Sequence, residues 1–193
     1  QTVIGEKYGL KKDGYFLFLA RIVPEKGLHY LIEAFSGLET DKKLVIAGGS
    51  SQAYGYMEQI HRMAAEDERI LMTDFVQGQV LEELYANAYA FVLPSDVEGM
   101  ALTLLEAMSY GDCCLVSDIR ENTEVVEDKA LTFRRGDVKD LKRQLAWMLE
   151  HPDEVRRMGE EGVDYICGKH NWDDVTGRTL AVYEKAAGKK EIV

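Results

Sequence analysis

What most constrains this chain is the regular alternation of short apolar runs with segments of helical period. Tyr15-Phe-Leu-Phe-Leu-Ala20, Leu44-Val-Ile-Ala47, Ile70-Leu-Met72, Phe91-Val-Leu93, Cys113-Cys-Leu-Val-Ser117 and Ala130-Leu-Thr-Phe133 are short and continuously apolar. Each reads as a strand buried on both faces. Between them apolar residues recur at helical spacing: Leu28 to Leu38, then Met57, Ile60, Met63 and Ala64, then Leu81 to Ala88, then Leu102 to Met108. Parallel strands need a crossover long enough to hold a helix, and right-handed crossovers put those helices on both faces. The expected fold is therefore α/β, a doubly wound, six-stranded, mostly parallel Rossmann-like sheet. After residue 136 the pattern is helical alone, over Val138–Leu149, Asp153–Cys167 and Trp172–Ala187, with Gly188 as a stop. These are extra C-terminal helices, which Trp147 and Trp172 are expected to pack. No linker or repeat divides residues 1–193, so they read as one domain.

Composition narrows the function. A chain of 193 residues, 46% apolar and 30% charged, can bury one good core. Its net charge of −11 opposes general nucleic-acid binding and direct docking to anionic membranes. No apolar run approaches the roughly 20 residues of a membrane helix. The start, Gln1-Thr-Val-Ile-Gly-Glu-Lys-Tyr, has no initiator Met and no leader, and reads as an excised fragment. Cys113, Cys114 and Cys167 form no CxxC or disulfide framework; the adjacent pair reads as small apolar residues in a strand, and the expected compartment is the cytoplasm. His29, His61, His151 and His170 share no metal spacing and read as structural. No metal site is expected.

Such sheets bind ligands beyond the carboxyl ends of their strands. Arg21 and Lys26 follow the first strand; a guanidinium fork and an ammonium suit adjacent phosphates, or they are two solvated surface charges. Gly48-Gly49-Ser50-Ser51 follows the second, as a plain turn or as a close approach of Gly49 to a ligand. Neither GxGxxG nor GxxxxGK[ST] is present, so hydride transfer and ATP hydrolysis lose ground. Glu98 and Glu106 stand eight positions apart across a strand-to-helix junction. Between them Gly99-Met100-Ala101-Leu102 opens the helix, where unpaired amides and the helix dipole favour an anion. Glu98 would face whatever is bonded to the outer phosphate. Glu106, among Leu102, Leu104, Leu105, Ala107 and Met108, needs a hydroxyl or cation as partner. The plain alternatives are a solvated Glu98 and a Glu106 that reaches the surface or a lysine. Ser117 or Asp118 is expected to cap a short helix whose Glu121, Asn122, Glu124 and Glu127 form a cap or a solvated face.

These pieces resemble, in order and spacing, the C-terminal, nucleotide-sugar-binding domain of the family 4 retaining glycosyltransferases of the GT-B fold. The resemblance rests on Leu19-Ala-Arg21 with Lys26-Gly27-Leu28, on Leu44-Val-Ile-Ala-Gly-Gly49, and on Val76-Gln-Gly78 with Leu84-Tyr85 and Ala88. It continues through Pro94-Ser95, Glu98-Gly99, Leu102, Leu105-Glu106-Ala107-Met108 and Gly111 to Ser117-Asp118 and Glu124-Val125-Val126. It implies one half of a GT-B fold and metal-independent, retaining glycosyl transfer from a nucleotide-diphosphate sugar, with no further cofactor. The acceptor would be held by an N-terminal domain that has no counterpart here, so this domain alone would be nearly inactive, and any peripheral membrane association would belong to the missing domain. By position, Arg21 and Lys26 would grip the diphosphate with the amides of Met100, Ala101 and Leu102. Glu98 would contact the sugar, Glu106 the ribose, and the backbone near Val76 the base. Met100-Ala101 stands where the family has Phe-Gly, and Ala20 where it has Gly. A GT-B nucleotide-sugar epimerase, a glycogen-phosphorylase-like catalyst and a domain that binds without transfer are the other readings.

Overall fold

A computed structural model describes residues 2–49 and 54–188. Six strands form one sheet: β1 (Tyr15–Leu19), β2 (Lys43–Ala47), β3 (Ile70–Asp74), β4 (Ala90–Leu93), β5 (Cys114–Ser117) and β6 (Leu131–Phe133). Their order is β3-β2-β1-β4-β5-β6 and every pairing is parallel. Each expected strand is present, with its ends moved by a residue or two. β1, β4 and β5 sit at the centre and are buried on both faces, apolar but for Ser117 at the end of β5, which is why their sequence runs show no alternation.

One face packs against α2 (Leu28–Ser36), α3 (Tyr54–Ala65) and α7 (Val138–Glu150), around Phe16, Phe18, Phe35, Leu44 and Leu145. The other packs against α1 (Val3–Tyr8), α4 (Gln79–Ala86), α5 (Leu102–Tyr110) and α6 (Arg120–Val126), around Leu17, Tyr85, Phe91, Leu104 and Val116. The long α8 (Pro152–Lys169) serves both, with Val155 in the first cluster and Ile166 in the second. Pro152 opens α8 one residue earlier than expected, in the first turn where its missing amide costs nothing.

Three expectations need correction. Trp172 does not pack the C-terminal helices: it is 76% exposed, and α9 (Trp172–Ala186) buries none of its residues. A helical period announces an apolar face but not that anything covers it. Trp147, in contrast, packs against the first core cluster. Helix α1 was not expected; the Thr2 hydroxyl accepts from the Gly5 amide, Gly9 closes the end in a left-handed conformation, and Ile4 alone is buried. One anchor gives no period to read. Finally, neither Ser117 nor Asp118 caps α6, whose cap position is Ile119 without a side-chain bond. Asp118 instead accepts from the Arg135 amide. Ser50 and Ser51 lie outside the described residues. Among those described, no helix is long and apolar enough to cross a membrane.

Candidate functional site

Strand order reverses at β1, whose neighbours are β2 on one side and β4 on the other, so successive crossovers leave in opposite directions and open a crevice beyond the carboxyl ends. The loops that follow β1 and β4 meet there. Pro24–Lys26 forms a short 3-10 turn, and Gly27 follows with φ 65°. A Cβ on Gly27 would lie 2.1 Å from the Pro94 carbonyl oxygen, so only glycine admits this approach. The Asp96 amide donates to the Glu25 carbonyl at 2.8 Å. The two loops are thus joined backbone to backbone.

On this frame Lys26 and Glu98 meet. Lys26 Nζ lies 2.6 Å from Glu98 Oε1, and the Ser95 hydroxyl donates to the same oxygen at 2.6 Å. The Glu98 side chain is 4% exposed and that of Lys26 15%. Neither is a solvated surface charge. Burying such a pair costs desolvation that the attraction only roughly offsets, so stability is a weak reason for placing it here. Arg21 stands exposed at the exit of β1.

The helix opens later than expected: α5 begins at Leu102 with Ala101 as its cap, and Ala101 makes no side-chain cap. Gly99, Met100 and Ala101 form the approach to it. The Leu104 and Leu105 amides reach the Ala101 carbonyl, which leaves the Leu102 and Thr103 amides as the unpaired donors of the first turn. Sequence reading had missed Thr103; it follows once the cap is placed at Ala101. The methyl of Ala101 causes no strain, because φ is −78° there.

Glu106 is not buried among leucines. It is exposed, while Leu104, Ala107 and Met108 turn into the core, because sequence neighbours diverge by about 100° around a helix. Tyr85 OH donates to Glu106 Oε2 at 2.9 Å. Burial first, and Glu106 second, hold that phenol well above its ordinary range. Glu106 also lines a cavity of about 490 Å³ with Met100, Leu102, His170, Trp172 and Val175.

The second-strand glycine that needs to be glycine is Gly48, not Gly49. Gly48 has φ 152°, and a Cβ there would fall 1.9 Å from the Ala20 carbonyl oxygen. Its constraint is backbone packing. The Gly49 carbonyl accepts from the Ile22 amide, tying the β2 exit to the β1 loop. Val76 is half-buried beyond β3, two strands from β1, or about 10 Å at ordinary strand spacing. Lys26 and Glu98 thus meet beyond the ends of β1 and β4, Arg21 stands at the exit of β1, and Gly99 to Leu102 lead from Glu98 into α5; Glu106 lies further along α5, and Gly49 and Val76 follow β2 and β3.

The loop after β5 supports this cluster from behind. Ser117 Oγ donates to the Ser95 carbonyl, and Asn122 Nδ2 donates to Ser117 Oγ at 3.1 Å and to its carbonyl at 3.3 Å. Ser95, Ser117 and Asn122 are completely buried. The solvated-face reading holds for Glu121, Glu124 and Glu127 but not for Asn122. Among the described residues no group of three or more His, Cys, Asp or Glu is placed to hold a metal.

Comparison with known proteins bears on the family and the fold. The family described as Glycosyl transferases group 1 matches residues 2–164. The O-antigen chain mannosyltransferase B of Escherichia coli is 27% identical over 183 residues, covering 93% of this chain and 48% of that protein. A GDP-mannose-dependent alpha-(1-6)-phosphatidylinositol monomannoside mannosyltransferase of Mycolicibacterium smegmatis is 29% identical, covering 96% and 51%. The chain thus spans about half the length of the curated relatives it matches. The structure of HepE from Anabaena with UDP and glucose superposes with a TM-score of 0.86 at 15% identity, covering 94% of this chain and 51% of that one. Sucrose-phosphate synthase from Thermosynechococcus elongatus gives 0.84 at 20% identity, with 94% and 48% covered. These two likenesses are of fold.

Proposed function

The chain belongs to the family Glycosyl transferases group 1, whose fold is GT-B, and from that membership we propose that it is the donor-binding half of a retaining hexosyltransferase of family 4 type. Its co-substrate is a nucleotide-diphosphate sugar. Arg21, Lys26 and the amides from Met100 to Thr103 take the diphosphate, Glu98 the sugar, Glu106 the ribose hydroxyls, and backbone near Gly49 and Val76 the base. The observation that carries this reading is the buried Lys26–Glu98 pair at the switch in strand order, beside the uncapped start of α5.

In the transfer, the bond from the anomeric carbon to the diphosphate oxygen breaks and its electron pair leaves with the diphosphate. The acceptor hydroxyl oxygen bonds to that carbon on the same face, and its proton passes to the departing diphosphate. Charge builds on the leaving group, and Arg21, Lys26 and the first-turn amides of α5 stabilise it there. Glu98 Oε1 is occupied by Lys26 and Ser95, which suits a carboxylate that orients the sugar through Oε2 rather than one that attacks it. The reaction as proposed uses no metal and no cofactor besides the donor. The acceptor belongs to an N-terminal domain of a longer protein, so the chain by itself binds donor but turns it over poorly. Cytoplasm is the proposed compartment, in keeping with the unbridged, buried Cys113 and Cys114.

Calorimetric titration with UDP-, GDP- and ADP-sugars tests this. One nucleotide class binds, and Arg21→Ala and Glu106→Ala each weaken it about tenfold, the loss of a charged contact. If no nucleotide binds and neither substitution matters, the donor-site reading is wrong. Turnover by the longer protein separates an enzyme from a module that binds without transfer.

A further inference from the structure

Three completely buried polar side chains stand behind one acid. Ser95 Oγ donates to Glu98 Oε1, Ser117 Oγ donates to the Ser95 carbonyl, and Asn122 Nδ2 donates to Ser117 Oγ. Each donor in the series points toward the acid. The three come from two different loops, Ser95 after β4 and the others from the end of β5 and the start of α6. Burying a hydroxyl or an amide is costly unless it is bonded, and apolar side chains of like size would fill these positions at lower cost. Asn122 shows the point most clearly: its Oδ1 is buried and has no partner among the described residues, so its amide is oriented for donation to Ser117 at the expense of its own acceptor.

Glu98 itself lies in a loop and has three side-chain torsions, so an ion pair alone leaves it free to follow Lys26. Two donors on the single oxygen Oε1, from opposite loops, fix the carboxylate plane and leave Oε2 as the oxygen to present. We infer that Ser95, Ser117 and Asn122 are positioning residues that hold Glu98 with Oε1 on Lys26 and Oε2 toward the donor's sugar. Recognition of the sugar, as distinct from the nucleotide, then depends on a side chain of the neighbouring βα loop that touches no ligand. This inference rests on the proposed donor site. Ser117 holds Ser95 by its backbone carbonyl rather than by its hydroxyl, so Ser117 and Asn122 act by fixing the backbone from which the Ser95 hydroxyl reaches Glu98.

The test separates sugar from nucleotide. The 193-residue chain and its Ser95→Ala, Ser95→Thr, Ser117→Ala and Asn122→Ala variants are titrated with UDP, UDP-glucose, GDP and GDP-mannose, and their melting is followed by circular dichroism. For whichever base binds, the affinity for the bare diphosphate changes less than about twofold in every variant. The ratio of sugar-nucleotide to diphosphate affinity falls about fivefold in Ser95→Ala and about threefold in Asn122→Ala, as expected for loss or loosening of one bond to a charged group. Ser95→Thr, which keeps the hydroxyl, restores the parent ratio. Equal weakening of both ligands, or an unchanged ratio in a folded variant, overturns the positioning role and leaves the donor site standing. Failure of the parent chain to bind any of the four, and ADP and ADP-glucose as well, overturns both. If Asn122→Ala or Ser117→Ala does not fold, the Ser95→Ala and Ser95→Thr pair decides alone.

Discussion

Two carboxylates at opposite ends of the same sheet are both withdrawn from solvent and treated in opposite ways. Glu98, beyond the carboxyl end of β4, has a side chain only 4% exposed and receives a lysine and a serine hydroxyl. Asp112, before the amino end of β5, is 6% exposed, and its Oδ2 has no partner among the described residues. Burial, with Asp13 nearby as the lesser cause, raises the Asp112 carboxyl well above its ordinary value. A cavity of about 480 Å³ adjoins it and contains Lys42, but that ammonium is committed to the Asp13 carbonyl and to the face of Tyr89. One acid has a cation and a hydroxyl as partners; the other has neither among the described residues, and its burial favours the neutral form. Burial by itself therefore marks no site in this molecule. What sets Glu98 apart is a cation delivered to it by a different loop.

The largest effect is expected from removing that cation. Lys26→Met leaves Glu98 buried with Ser95 alone and turns it into a second Asp112. Unfolding in denaturant should show a loss of about 2–4 kcal/mol at neutral pH, since an uncompensated buried charge is the main cost of breaking such a pair. A loss below about 0.5 kcal/mol, the range of ordinary surface changes, would mean that the pairing is incidental.

The reverse change is smaller and of opposite sign. Between the ordinary aspartate value of 3.8 and its raised native value, Asp112 binds more protons folded than unfolded. Its contribution is therefore full at or below about pH 4 and is lost as pH rises through the native value. Asp112→Asn removes the titration. Its melting temperature should match the parent near pH 4 and exceed it at pH 7, the difference growing as pH rises through the native value. A constant difference across that range would contradict the assignment. Tyr85 lies between the two ends, with its hydroxyl on Glu106 and its ionisation opposed by both Glu106 and Asp112. Tyr85→Phe should cost about 1 kcal/mol, one net hydrogen bond, and weaken nucleotide affinity through Glu106. The smallest effect belongs to Trp172→Ala, where loss of an exposed ring should leave stability within about 0.5 kcal/mol.

The sheet was legible in the sequence because strands buried on both faces, such as Phe91-Val-Leu93, have no polar positions to confuse their reading. Strand order was legible only as a class, since nothing in a run of valines says which neighbour it pairs with. The members of the proposed site could be named by motif, yet their relations could not. Lys26 and Glu98 are 72 positions apart, and only the fold brings them to 2.6 Å. Glu106 was misjudged because five apolar neighbours in sequence are not neighbours on a helix. Asn122 was misjudged for the converse reason: among Glu121, Glu124 and Glu127 it shares their polarity but not their direction. Trp172 shows the third limit, that amphipathic pattern is local and coverage is not.

The contact of Gly27 with the Pro94 carbonyl has a consequence for motion. With backbone lying on backbone, and the Asp96 amide bound to Glu25, neither loop can swing as a lid while the other stays still. An adjustment that moved the cation would carry the carboxylate with it, so the spacing of the charge pair would be kept. Amide hydrogen exchange would register this as a shared clock: Lys26, Gly27 and Asp96 would lose protection at one rate, although nearly seventy residues of chain lie between them.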